Sequence, residues 1–389
     1  MYQPVTQPHP LTRMPQLFLL PLALIALLVG LAESMPLSMA RALIQVFGID
    51  LEGVMSLKTS FTLAFVIAAP LLGHYCDRIH RTKLLLPALV VFAASALAMA
   101  CTSNMAVAIA SRVVAGIAAA LILPAVLAMV ADHTAPARQV AAMGLVMLGI
   151  TLGTQLGTML ASALSKQLGW QGPLILLAAG SLGAMLLAAR WPAASQQMPQ
   201  PQRAYGRWAL LRALLAMGAW NGIGMLGLVV SGQLKGVEHG FWREHSPLTV
   251  YTYILAMAAG NLAAGAVRRQ LRRDEDLVLL AVLLLGVSVA AFALLPPALP
   301  AGMVCLGSWG LALGLGAPAG TAVLVSRAGA DIAQVLGWSL MLNAAAVLLG
   351  MPLCLQLLMR LGTETALLAL VAGVGLGVCL AVADWWATR

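Results

Sequence analysis

From residue 17 to residue 386 the chain is a succession of long apolar runs separated by short polar interruptions. Each run reaches about 18 residues or more, enough for a helix to cross a hydrocarbon core about 30 Å thick. The runs are continuously apolar and do not alternate over about ten residues, so they predict helices and not barrel strands. Their limits fall at 17–44, 54–75, 84–102, 105–131, 138–165, 170–190, 208–233, 247–267, 277–295, 301–326, 332–358 and 363–386, about twelve spans. The first run is too long for a signal peptide and has no small-residue cleavage site after it.

The longest polar interruption, "RWPAASQQMPQPQRAYGR", divides these spans six and six. The expected organisation is a tail over 1–16, a six-helix bundle over 17–190, a linker over 191–207 and a second bundle over 208–389. Each half carries its strongest basic loop between its second and third spans, at 76–83 and 268–276. Such weak symmetry is a feature of transporters built from repeated bundles. Pro36, Pro70, Pro87, Pro124, Pro318 and Pro352 and glycine-rich runs at 144–157 and 310–320 interrupt the spans. Breakers are tolerated where neighbouring helices or a cavity satisfy the freed backbone, although they are also common in ordinary membrane helices.

Composition agrees with the pattern. The 389 residues are 61% hydrophobic and only 9% charged, with a mean hydropathy of +0.94, which excludes an ordinary soluble domain. The net charge of +9 is explained by its location. One side of the membrane takes Arg13, Arg78, Arg81, Lys83, Arg138, Arg190, Arg203, Arg207, Arg212, Arg268, Arg269, Arg272, Arg273, Arg327 and Arg389. The other takes only Arg41, Lys58, Lys166, Lys235, Arg243 and Arg360. The positive-inside bias places both termini in the cytoplasm and calls for no nucleic acid partner. Cys76, Cys101, Cys305, Cys354 and Cys379 have no ligand spacing and read as packing residues.

The stretch "GHYCDRIHRTK" (73–83) concentrates charge in a short turn between spans two and three. Lys and Arg there can simply mark topology, or the turn can clamp helix ends, with Asp77 facing a cation or a helix N-terminus. Gly73, Asp77, Arg78, Arg81 and Lys83 resemble the Gly-x-x-x-Asp-Arg-x-Gly-Arg-Arg/Lys signature of the major facilitator superfamily, with His80 in a glycine position and Thr82 before Lys83. The resemblance implies a gating loop that links the bundles on the cytoplasmic side in the outward-facing state. A second-half copy starts at Gly265 but has Arg269 in place of the aspartate. Arg112 to Gly116 resembles the family's span-four Arg-x-x-x-Gly element. Gly149, Gly153 and Gly157 resemble the glycine element of its antiporters, with Thr154 at the usual proline position.

Ionisable residues inside spans are costly and mark candidate function. Glu33 lies sixteen residues into span one, about 24 Å from its start, and Arg112 seven residues into span four, about 10 Å from the opposite surface. The two reach similar depths, so a pair is geometrically possible. Glu33 could carry a proton, attract a cationic substrate, form a static ion pair with Arg112, or sit solvated at a mouth. The resemblance adds that efflux members often have an acidic residue in span one and use the span-four arginine in coupling. The second bundle has no charge deep in a span. Its polar lining is expected from Asn221, Asn261, Ser308 and Asn343, with Trp220, Trp309 and Trp338 as aromatic surfaces and Gln155 as the first bundle's counterpart. The set suggests a mainly apolar pocket with a few amides. Trp170, Trp191, Trp208, Trp242, Trp385 and Trp386 fall near span ends and read as interfacial anchors.

Glu238, His239, Glu244 and His245 fit no metal-ligand spacing, and no metal is expected. No phosphate-binding glycine loop with Lys-Ser/Thr and no nucleophile triad is recognisable. The expectation is an all-α integral membrane protein of the major facilitator fold and not an enzyme. It uses no cofactor, draws on a proton gradient, and works as a monomer in a bacterial inner membrane. It exports a small drug-like or metabolite substrate by proton antiport. The alternatives are a proton-coupled importer and a sensor that has lost transport.

Overall fold

The structure, a computed structural model, describes residues 18–190, 206–225, 246–294 and 299–389. The expected tail, most of the linker, residues 226–233 of span seven and the loop holding Glu238, His239, Glu244 and His245 lie outside the described residues. Among the described residues every regular element is helical. The first bundle contains α1 (Leu19–Ser38), α2 (Ala40–Phe47), α3 (Leu51–Arg78), α4 (Arg81–Ala100), α5 (Met105–His133), α6 (Pro136–Leu168) and α7 (Gln171–Ala189). The second contains α8 (Arg207–Met217), which runs into a π-helical turn at Gly218–Gly222, then α9 (Ser246–Arg268), α10 (Asp274–Leu294) and α11 (Leu299–Ala328). A last stretch, Ile332–Ala387, is broken at Gly362 (φ 84°, ψ 176°), which only glycine adopts readily. The break separates α12 (Ile332–Gly362) from α13 (Glu364–Ala387).

Eleven of the described helices are long and apolar enough to cross a membrane. Local chemistry sets several of their starts. Asp50 Oδ1 accepts from the Gly53 N–H at 2.9 Å at the head of α3, and the Asn104 side chain accepts from the Ala106 N–H at 2.8 Å at the head of α5. Both are N-caps that satisfy amides the helix cannot. One expectation changes: the run 17–44 is not a single span. Met39 leaves the helical region (φ −103°, ψ 15°) and α2 begins at Ala40. In α2 only Leu43 is buried, while Arg41, Gln45 and Val46 are exposed, so it is a short amphipathic helix. The apolar residues of α2 continue the run of α1 with no polar segment between them, so run length alone does not mark the bend.

Within each bundle, glycine lets helices touch backbone to backbone. A side chain at Gly149 or Gly153 would fall on the carbonyl oxygen of Ala23 or Leu27 in α1, and one at Gly157 on Ser34. Gly310 and Gly314 of α11 meet the carbonyls of Tyr253 and Met257 in α9 in the same way. Small residues at such seams replace the hydrophobic drive that is missing between helices in lipid.

The end of the molecule bearing the α3–α4 turn, here the basic end, also holds a charge cluster inside the second bundle. Arg327, in the last turn of α11, donates to Asp384 in α13 at 2.8 and 2.9 Å, to the Ala209 carbonyl of α8 at 3.0 Å and to Glu275 of α10 at 3.3 Å. Its side chain is fully buried. Arg212 Nε lies 3.5 Å from Asp384. Removing one partner of a buried ion pair leaves the other charge uncompensated and costs about 3–5 kcal/mol. Arg327→Met is therefore expected to lower the thermal unfolding midpoint of the purified protein sharply, whereas Arg269→Met, at an exposed position, leaves it unchanged; unfolding curves in detergent check both.

Candidate functional site

At the basic end the two bundles meet around Asp77. Its carboxylate accepts from the N–H of Ala333 at 2.9 Å and of Gln334 at 2.8 Å. These are amides of the first turn of α12, which have no partner inside their own helix and carry its positive dipole end. Arg81 bonds Asp77 at 3.3 Å and forms an ion pair with Asp132 at the end of α5. The His74 ring lies 3.3 Å from Gln334 Oε1. Gly73 permits the approach, since a Cβ there would lie 2.7 Å from the Ala333 carbonyl oxygen. Gly337 of α12 likewise backs onto the Ala69 carbonyl of α3. Arg78 and Lys83 are exposed, so of the five expected loop residues Gly73, Asp77 and Arg81 are brought together and these two are not. His80 has φ −51° and ψ 119°, a conformation that demands no glycine.

A second seam joins α6 to α9. A side chain at Gly265 would collide with Ala141, and one at Gly144 with the Asn261 carbonyl oxygen. Asn261 Nδ2 donates across the seam to Thr151 Oγ1 at 3.0 Å. Val140 of α6 is buried in an apolar cluster with Ala264, Leu277, Ala281 and Leu315 of the second bundle. These close approaches all lie in the basic-end half, whereas residues 340–348 of α12 are only half-buried. The molecule is sealed at the basic end.

Above the seal lie the expected central residues. Arg112 is 3% exposed. Its Nε donates to the Leu57 carbonyl at 3.2 Å, and its guanidinium sits 4.5 Å from the Phe61 ring centroid. Nη2 is buried without a partner, beside a small cavity lined by Ala32, Phe92, Ser95 and Ser111. Glu33 of α1 is half-buried, and among the described residues it forms no direct ion pair with Arg112. Gly149, Gly153 and Gly157 of α6 pack against the α1 segment that carries Glu33. Thr154 bonds the carbonyls of Ile150 and Thr151 at 3.0 and 3.2 Å, so α6 stays helical through this position.

The amides and tryptophans separate. Asn221, in the π-helical turn, is 9% exposed with Oδ1 unpartnered. Asn343 faces the same turn across Gly222, 3.5 Å from where its Cβ would stand. Gln155 is half-buried. Trp220 and Trp309 are packed inside the second bundle at 1% and 0% exposure, and Trp309 Nε1 donates to the Gly224 carbonyl at 3.1 Å. Trp338 is 42% exposed, and Ser308 is tied to Ser288 at 2.8 Å.

Three groups escaped the sequence reading. Asp132, Glu275 and Asp384 stand at helix ends, where charge looks ordinary. Arg327 counted as a loop residue but is buried. Lys58 counted among the residues of the opposite side, but it lies seven residues inside α3 and adjoins Leu57, the residue to which Arg112 is bonded. Lys58, Thr62, Ala69 and Gly73 form one stripe of α3, and the last two touch α12. The helical spacing was the signal that could have located Lys58.

Two helical bundles clasped at one end around a central polar layer define a membrane transporter. The sequence profile described as Major Facilitator Superfamily matches residues 22–351, and the chain belongs to that family. Its fold is similar to that of the human organic anion transporter MFSD10 (TETRAN), with a TM-score of 0.75 and 20% identity over 96% of this chain and 100% of that one. It is equally similar to the Major Facilitator Superfamily transporter FucP in the outward conformation, with a TM-score of 0.75 and 13% identity over 95% and 99% of the two chains. At these identities the likeness is one of fold. No curated protein matches the sequence.

Charge-assisted hydrogen bonds contribute about 1.5–3 kcal/mol each, and Asp77 makes two across the seam. Asp77→Ala is expected to raise the alkylation rate of a cysteine placed at Ala333, buried at 0% exposure, by about tenfold or more, measured with an impermeant thiol reagent on membranes opened at the basic end.

Proposed function

We propose that the protein is a proton-coupled exporter of a small, partly hydrophobic metabolite or drug-like compound, working by antiport and alternating access. The observation that carries this reading is Glu33: a half-buried carboxylate inside α1, the helix against which the glycines of α6 pack, above a sealed seam. An ionisable side chain kept inside a span is costly unless it has a task, and a carboxylate can carry a proton between the two sides. Substrate and proton then compete for the same layer, which is the requirement of exchange. The glycines of α6, which hold α1 in place, support the same assignment. With the basic end cytoplasmic, as the distribution of Lys and Arg implies, the protein works as a monomer in a bacterial inner membrane, with no cofactor.

Lys58 favours a second reading. It lies near the level of Arg112, so the layer holds two cations and one anion, and an anionic substrate would bind better once Glu33 is protonated. Proton and substrate would then bind together and move together, as in an importer. One of the similar solved proteins is described as an organic anion transporter. The two readings give opposite signs.

The test begins by comparing small molecules in cells and spent medium between strains carrying the wild type and Glu33→Gln. A compound moved only by the wild type is then assayed in vesicles. Under antiport its KM rises as pH falls at the substrate face; under co-transport it falls. Glu33→Gln is expected to fold normally and to abolish coupled flux, and a fully active variant would sink the role of Glu33.

A further inference from the structure

Among the described residues, the hydrogen bond from Asn261 to Thr151 is the polar contact across the α6–α9 seam. Thr151 lies beside Ile150, whose carbonyl meets Gly30 in the middle of α1, and Glu33 is one turn beyond, about 4.5 Å further along the axis. This bond therefore separates the sealed half of the molecule from the central layer. Both residues are buried, Asn261 at 1% and Thr151 at 3% exposure.

The contact is only half satisfied. Asn261 Nδ2 has Thr151, but Asn261 Oδ1 is buried with no partner. Turning the amide over does not help, because Thr151 then meets the oxygen and the nitrogen is left alone. Among the described residues no partner reaches Oδ1; Gly144 and Gly314 press against the backbone of Asn261, and Pro318, which has no N–H, lies against Gly144. An unpaired buried amide atom offsets much of what the one good bond contributes. When the seam opens, water reaches both atoms and the penalty disappears.

We infer that Asn261 sets the conformational balance of the transporter: its unpaired amide atom holds the sealed basic end close in free energy to the open one. A seam closed only by glycines, alanines and a fully satisfied bond would have no such bias toward opening. The inference rests on alternating access between the two bundles, not on Glu33 or on the direction of transport.

The two ends of the bond make opposite predictions. Thr151→Val removes the one partner and strands both amide atoms, so the open population rises. Asn261→Leu removes the amide altogether at similar size, and the Thr151 hydroxyl can turn to a carbonyl one turn back in its own helix, so the sealed population rises. A simple clasp would respond alike to both, by opening. Arg138 and Arg269 are exposed at the helix ends about one turn beyond the Ala141–Gly265 contact, which suits them to carry probes. Spin labels at Arg138→Cys and Arg269→Cys, with the exposed Cys101 and Cys379 replaced by serine, report the separation across the seam by pulsed dipolar spectroscopy. The expected result is a shift of the short-to-long distance ratio by roughly fivefold or more in opposite directions for the two variants. Shifts of the same sign, or none beyond twofold in either variant, would overturn the inference. A variant that fails to fold is replaced by Thr151→Ala or Asn261→Met, with the same expected signs. Because the readout is a distance and not a flux, its failure is distinguishable from a failure of the coupling assignment.

Discussion

The sealed end of this transporter depends on one carboxylate meeting one helix start. Asp77 accepts two amide N–H groups of α12 while Arg81 ties it to Asp132. In isolation a buried aspartate would be costly. Here its charge is balanced on one side by a guanidinium and on the other by amides that need an acceptor, so the helix start is satisfied only when the bundles are together. Separation leaves α12 and Asp77 to find water instead. The contact therefore links the start of α12 to the end of α3 across the two bundles.

Around this contact, closure is made by backbone. Gly73, Gly337, Gly144 and Gly265 bring carbonyls and Cα atoms of opposing helices into contact. A surface of this kind has few side chains to interlock and can separate and rejoin without repacking. The polar atoms placed in it are correspondingly few, and Asn261 is the one that reaches toward the central layer.

The two bundles use related charge clusters with inverted sign. In the first, a cation at the start of α4 (Arg81) pairs with an acid at the end of α5 (Asp132). In the second, an acid at the start of α10 (Glu275) pairs with a cation at the end of α11 (Arg327). The first cluster extends to the other bundle through Asp77. The second closes on α8 and α13 through Ala209 and Asp384. The first cluster bridges the two bundles, and the second ties helices within one of them.

Apolar run length determined the membrane class and most span limits, because hydrocarbon thickness dictates length residue by residue. The turn at 73–83 and the span-four arginine were legible as motifs, since capping a facing helix start at close range takes an acid, a cation and a glycine at fixed spacing. What the sequence could not show was facing. Trp220 and Trp309 look like pocket walls in a list of residues and are core in the fold, because a tryptophan is equally apolar on either side of a helix. Arg327 looks like a topology marker until the fold buries it among α8, α10 and α13. The bend at Met39 and the pairing of Asn261 with Thr151, 110 positions away, depend on which helix lies alongside, and only the tertiary structure supplies that.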